Sequence, residues 1–194
     1  MRNATVRRET AETRIDLTLE LDGSGTLDGE TGIGFFDHML HALAKHGGLD
    51  LSFTCDGDLH VDDHHTVEDI GICLGQAFDN ALSDRKGITR FSQSYVPLDE
   101  ALARVVVDVS GRSFLAFNVV FSRSAVGTLS TEMVREFFKG FTDHSLLTMH
   151  VDLLAGINTH HQVEAVFKAA ARAIRQAIAL DPRITDVPST KGSL

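Results

Sequence analysis

Two stretches decide the reading of this chain: HHTVEDIGICLGQAFDNAL at residues 64–82 and HHQVEAVFKAAARAIRQAI at residues 160–178. Both open His-His-x-Val-Glu and continue with apolar residues at helical spacing: Val67, Ile70, Leu74 and Phe78 in the first, Val163, Val166, Ala170 and Ile174 in the second. Working outward, a strand-like run precedes each, LDLSFTCDG at 49–57 and LLTMHVDLLAG at 146–156. A further helical segment precedes each of those, GFFDHMLHALAKHGG at 34–48 and TEMVREFFKGFTDHS at 131–145. Before these lie β-type runs. ETRIDLTLELDGSGTLD alternates and carries an Asp22-Gly23 hairpin signal, and SYVPLDEALARVVVDVSGRSFLAFNVV carries a second near Ser110-Gly111. Each half therefore reads β-β-β-α-β-α, the first over 1–87 and the second over 88–181. Asp181-Pro182 ends the last helix, and a tail at 182–194 has no core pattern of its own. The expected fold class is α+β, two tandem half-domains in one compact domain.

Duplication for stability alone explains the apolar faces. It does not explain why both copies keep a polar His-His pair with a Glu close behind. On a helix of about 3.6 residues per turn, adjacent side chains point about 100° apart, so His64 and His65 cannot easily grip one ion together. Glu68 lies at i+4 from His64 and i+3 from His65, so its carboxylate can join either; His160, His161 and Glu164 repeat the pattern. Setting His46 on His144 places His38 on Glu136, one further donor per half. The candidate ligands are then His38, His64, His65, Glu68, Glu136, His160, His161 and Glu164. Imidazole and carboxylate without thiolate fit manganese, iron or zinc in an open catalytic site rather than a structural cysteine site. Of the remaining histidines, His41, His46, His60, His144 and His150 read equally well as surface or supporting residues.

Composition sets the limits. The chain has 194 residues, ten histidines, one tyrosine, no tryptophan, 43% hydrophobic and 23% charged residues, ordinary for a folded globular protein. A net charge of −9 argues against non-specific nucleic-acid binding. No apolar run approaches the roughly 18 residues that span a bilayer, and MRNATVRRET has no apolar signal-peptide region. Cys55 and Cys73 lack metal-type spacing and allow at most one disulfide, so a reducing, cytoplasmic setting is expected. Gly32-Ile33-Gly34 lacks the third glycine of a dinucleotide loop, and neither a GxSxG nor a Walker loop is present. Among the few basic residues, Arg90 and Arg112 follow turns, Lys168 shares the face of His160 and Glu164, and Lys191 stands in Ser-Thr-Lys-Gly. Together they suggest an anionic, phosphate-bearing substrate near the metals.

GIGFFDHMLHALAKH, DDHHTVEDIGICLGQA, THHQVEAVFKAAARAIRQA and VPSTKG together resemble the imidazoleglycerol-phosphate dehydratase family, over nearly the whole chain. The resemblance implies a duplicated, ribosomal protein S5 domain 2-like fold with helices between two four-stranded sheets. It also implies Mn2+, two per active site, and a homo-oligomer of 24 subunits with sites between subunits. The implied substrate is small, phosphorylated and imidazole-bearing; no nucleic-acid or membrane partner is expected. The family's metal ligands fall on the eight residues named above, Glu136 where some relatives have histidine. Its substrate contacts fall on Glu12, His38, His46, His64, His65, Glu68, Arg90, Arg112, His160, Lys168, Ser189, Thr190 and Lys191. Glu12 enters only through the resemblance. The implied reaction converts imidazole glycerol phosphate to imidazole acetol phosphate in histidine biosynthesis. It is expected to pass through a metal-held imidazolate and a diazafulvene-type intermediate, with Glu12 or Glu164 as proton shuttle. A metal-storage shell and a dinuclear phosphohydrolase share the histidine clusters and stand as alternatives.

Overall fold

Alternation of side chains builds the first sheet. In β1 (Asn3–Glu9) and β2 (Thr13–Glu20), Val6, Ile15, Leu17 and Leu19 all point inward and are buried. The two strands pair antiparallel, with Val6 opposite Leu17. β2 then pairs on its other edge with β4 (Asp50–Gly57), Leu17 opposite Phe53, and the short β3 (Leu27–Asp28) runs parallel on the outside of β4. The sheet order is β1-β2-β4-β3. The second half repeats it with β5 (Phe91–Leu98), β6 (Ala101–Asp108), β7 (Phe114–Asn118) and β10 (Thr148–Ala155) in the order β5-β6-β10-β7. The structure, a computed structural model, describes residues 2–192 and 194.

Both expected hairpin turns are corrected. Asp22-Gly23 and Ser110-Gly111 do not join paired neighbours. They open crossovers that carry β3 and β7 to the far edge of β4 and β10, where they lie parallel. The place beside β2 goes to β4, whose Leu51, Phe53 and Cys55 continue the buried face across eight paired residues. Asp50 fixes the first crossover, its Oδ1 accepting the backbone N–H groups of Ser24, Gly25 and Thr26 at 2.9–3.0 Å. The true hairpin turns are at residues 10–12 and at Asp99-Glu100. The second half also has a small hairpin not foreseen, β8 (Ala125–Val126) with β9 (Leu129–Ser130).

Among the described residues four helices lie between the two sheets: α1 (Gly34–Gly47), α2 (His64–Leu82), α3 (Glu132–Ser145) and α4 (Thr159–Ala177). The last of these stops four residues before Asp181, its end capped by the N–H of Ile178 on Ile174 O. α2 covers the first sheet and α4 the second, while α1 packs on α4 and α3 on α2. Each half thus lends one helix to the other. The core between them holds Phe36, Phe137, Phe138 and Phe167, all buried, with ring centroids of neighbours 5.0–5.4 Å apart. No helix among the described residues is long and apolar enough to cross a membrane.

The α2–α3 contact depends on glycine. A Cβ on Gly71 would stand 2.6 Å from the Phe137 carbonyl oxygen, and one on Gly140 2.9 Å from the Glu68 carbonyl oxygen. Neither neighbour is a flexible side chain, so the helices would have to part. Gly71→Ala is expected to destabilise the fold by about 1–3 kcal/mol through overpacking, despite alanine's better helix propensity. Thermal unfolding of the variant checks this; an unchanged or raised Tm would show that the crossing is not so tightly set.

Candidate active site

The first histidines of the two motifs sit at the start of their helices for a local reason. Asp62 Oδ1 accepts the His64 N–H at 2.9 Å, and Asn158 Oδ1 accepts the His160 N–H at 2.9 Å. These side chains satisfy donors that a helix N-terminus leaves without partners.

His160, on α4, meets a residue of the other half. His38 on α1, His160 and Glu164 each offer one donor atom, all within 4.8 Å of one another. His160 Nε2 lies 3.1 Å and His38 Nε2 3.5 Å from Glu164 Oε2. Phe35 packs beside the His160 ring, centroids 4.8 Å apart. Lys168 Nζ stands 2.6 Å from the other carboxylate oxygen, one helical turn on. Burial of Glu164 works against its charge, but the Lys168 ammonium and His38 outweigh it and hold the carboxyl below its ordinary range. A compact group of two imidazoles and one carboxylate is a donor set for a divalent first-row metal. The thiols are not competitors: burial pushes Cys55 up to about 11 and Cys73 up to about 12, and both are free.

The matched residues of the other half are looser. His64 Nε2 lies 3.5 Å from Glu68 Oε2 on α2. Glu136, on the adjoining α3, instead turns its carboxylate to Arg135 at 2.7 Å. With Glu136 paired to Arg135, His64 and Glu68 are the close donors of this half. The second histidines stand apart from both groups. His65 places Nδ1 2.9 Å from Asp58 and Nε2 3.6 Å from Glu12 Oε1. His161 places Nδ1 2.8 Å from Glu100 and Nε2 4.0 Å from Asp99. Accepting from His161 and from the Asn158 and Ile157 N–H groups holds the Glu100 carboxyl down at about 2. Neither Asp58 nor Glu100 stands out in the sequence; only their distance to the histidines reveals them.

Glu12 is half exposed at the tip of the β1–β2 hairpin, beside an open cleft of about 370 Å³ that Thr10, Thr13, Asp56, Asp58 and His60 also line. The tip is held from below. Thr10 Oγ1 accepts the Glu12 and Thr13 N–H groups at 3.1 and 2.9 Å, and Thr13 Oγ1 donates to buried Asp69 at 2.5 Å.

The basic residues divide. Lys168 belongs with the metal-type trio. Arg90, held at a left-handed φ of 73°, pairs with Asp108 at 2.7 Å and donates to the Pro188 carbonyl at 2.7 Å, tying down the tail. That brings Ser189, Thr190 and Lys191 to the same end as Arg112, and the backbone of Leu194 lies against Gly111. His46, at the end of α1, faces α4; burial first, then the charges of Lys168 and Arg172, hold its imidazole below the usual range.

Two interleaved half-domains, each bearing a helix-borne imidazole–carboxylate pair, define a duplicated α+β enzyme scaffold. A family model of imidazoleglycerol-phosphate dehydratase matches residues 31–174. Proteins of that name from Aminomonas aminovorus and Methylobacillus flagellatus are 58% and 56% identical, over all of this chain and 100% and 98% of theirs. The crystal structure of imidazoleglycerol-phosphate dehydratase from Staphylococcus aureus superposes with a TM-score of 0.84 at 41% identity, covering 92% of this chain and 99% of that one. The Pyrococcus furiosus structure gives 0.83 at 36% identity, covering 97% and 100%. The chain belongs to the imidazoleglycerol-phosphate dehydratase family, which are hydro-lyases, and the storage-shell and hydrolase alternatives fall away.

Proposed function

We propose that this chain dehydrates imidazole glycerol phosphate to imidazole acetol phosphate in histidine biosynthesis, in the cytoplasm, with two manganese ions per active site. The observation that carries the reading is the convergence of His38, His160 and Glu164 from two different halves within 4.8 Å. Nothing in the packing of a stable core requires two imidazoles and a carboxylate to meet there.

His38, His160 and Glu164 would hold one ion, and His64, Glu68 and Glu136 take part in holding the other. When bound, manganese supplies Lewis acidity that draws charge onto the substrate's imidazole ring. The chain's own groups do the rest. Lys168 fixes the Glu164 carboxylate. Arg112, Ser189, Thr190 and Lys191 receive the phosphate. Arg90 anchors their loop and, with five N–H donors of which three are used, keeps two for the same anion. His46, near Lys168 and Arg172, adds a further substrate contact from α1. Glu12 takes the proton from the side-chain carbon next to the one, attached to the ring, whose hydroxyl leaves as water; the C–H electrons form the enol that becomes the ketone. Glu164, engaged by Lys168 and two histidines, is a ligand rather than a shuttle. His65 and His161 turn away from the trio within one chain. This supports active sites shared between subunits, in the 24-subunit assembly the resemblance implies.

The test is turnover of imidazole glycerol phosphate by the manganese-loaded protein, with the product identified by mass. A product lighter by one water is expected. A product heavier by one water, or none, overturns the reading.

A further inference from the structure

The second histidines of the two motifs are held by carboxylates from different places. His65 Nδ1 lies 2.9 Å from Asp58, the residue that follows β4. Neither Gly156 nor Ile157, the residues that follow β10, has a carboxylate to offer. In that half the carboxylate comes from the hairpin tip instead: His161 Nδ1 lies 2.8 Å from Glu100 Oε2. Glu100 immediately precedes β6 as Glu12 immediately precedes β2, so the two glutamates hold matched positions in the duplication. They have different work. With Asp58 on Nδ1 of His65, Glu12 is left at the opposite nitrogen, 3.6 Å from Nε2. By strand register, Ala155 opposite Leu102 answers to Asp56 opposite Arg14, so the place of Asp58 falls to Ile157, which has no carboxylate, and Glu100 itself covers Nδ1.

We propose that Glu100 is a positioning residue that keeps the proton of His161 on Nδ1 and so presents Nε2 to a divalent metal, the task Asp58 performs for His65. The inference rests on the metal-ligand reading above. A carboxylate can only accept, so a neutral imidazole facing it must donate from Nδ1 and carry its lone pair on Nε2. Carboxylates that fix a ligating histidine in this way are a recurrent part of metal sites. The other oxygen of Glu100 is fully engaged, accepting the N–H groups of Ile157 and Asn158 at 3.1 and 2.7 Å. That clamp sets the direction of the carboxylate.

Glu100→Gln separates the two functions. The amide oxygen can still accept from Ile157 and Asn158, which leaves the NH₂ facing Nδ1. His161 must then accept there and move its proton to Nε2, the nitrogen the metal needs. Full-length protein, stripped of metal and dialysed against graded free Mn2+, is expected to show affinity lower by about 10–100-fold for one class of ion in E100Q. His161→Ala should weaken the same class, and adding Glu100→Gln to it should cost nothing more. Wild-type manganese affinity in E100Q beside a weakened His161→Ala overturns the role of Glu100 alone. An equal further loss in the double variant also overturns it, since a purely structural clamp acts regardless of His161. Wild-type affinity in His161→Ala removes the ligand assignment itself, and the proposal with it.

Discussion

Glu12→Gln is expected to lower kcat by about 10²–10⁴-fold, the usual worth of a positioned proton carrier, while metal content per chain stays at the wild-type level. Glutamine keeps the length and the polarity of the side chain but cannot take up a proton. The hairpin tip should survive the change. Thr10, Thr13 and Asp69 hold it through backbone and threonine contacts that do not involve the Glu12 carboxylate. The residue is half exposed and lines an open cleft, as a group that meets a small substrate must. Steady-state kinetics with metal analysis of the same preparation check this. Unchanged kcat removes Glu12 from proton transfer. Loss of metal together with kcat would make it a ligand instead.

Removal of divalent metal is expected to abolish dehydration, with recovery on adding back manganese. Without the ion, the trio consists of two imidazoles beside a carboxylate that Lys168 already neutralises. Such a group can orient a ring but cannot stabilise negative charge on it as a Lewis acid does. Because the imidazoles must be deprotonated to ligate, the recovered activity should need more manganese as pH falls. Size-exclusion chromatography provides a second measure. His65 and His161 face away from the trio in the single chain, so stripping metal should loosen an assembly whose sites are shared. Full turnover in metal-free protein defeats the metal reading. A large particle that survives chelation defeats the sharing of ligands between subunits.

Much of this was legible in the residues. All four helices follow apolar spacing within the chain, and each begins or ends within a few residues of where capping and turn residues place it. The paired His-His-x-x-Glu motifs announced a duplicated donor set because two copies preserve polar residues that core packing does not need. The strands were legible as strands, yet their partners were not. Asp22-Gly23 has the local chemistry of a hairpin, but whether β2 meets β3 or β4 depends on which apolar face is completed, and β4 lies some thirty residues on.

The active-site groups divide along the same line. Local spacing placed His160 and Glu164 on one helix face, and His64 with Glu68 likewise, because both relations lie within one turn. That His38 joins the first pair, that Glu136 turns to Arg135, and that Asp58 and Glu100 hold the second histidines are all matters of packing between distant segments. The sequence by itself determined the helices, the duplication and the kinds of donor available, since each is written in local periodicity and residue chemistry. Tertiary structure alone decided which donors meet. α1 crosses to α4 and α3 to α2, an exchange between halves imposed by burying four apolar helix faces between two sheets, and no short-range pattern encodes it.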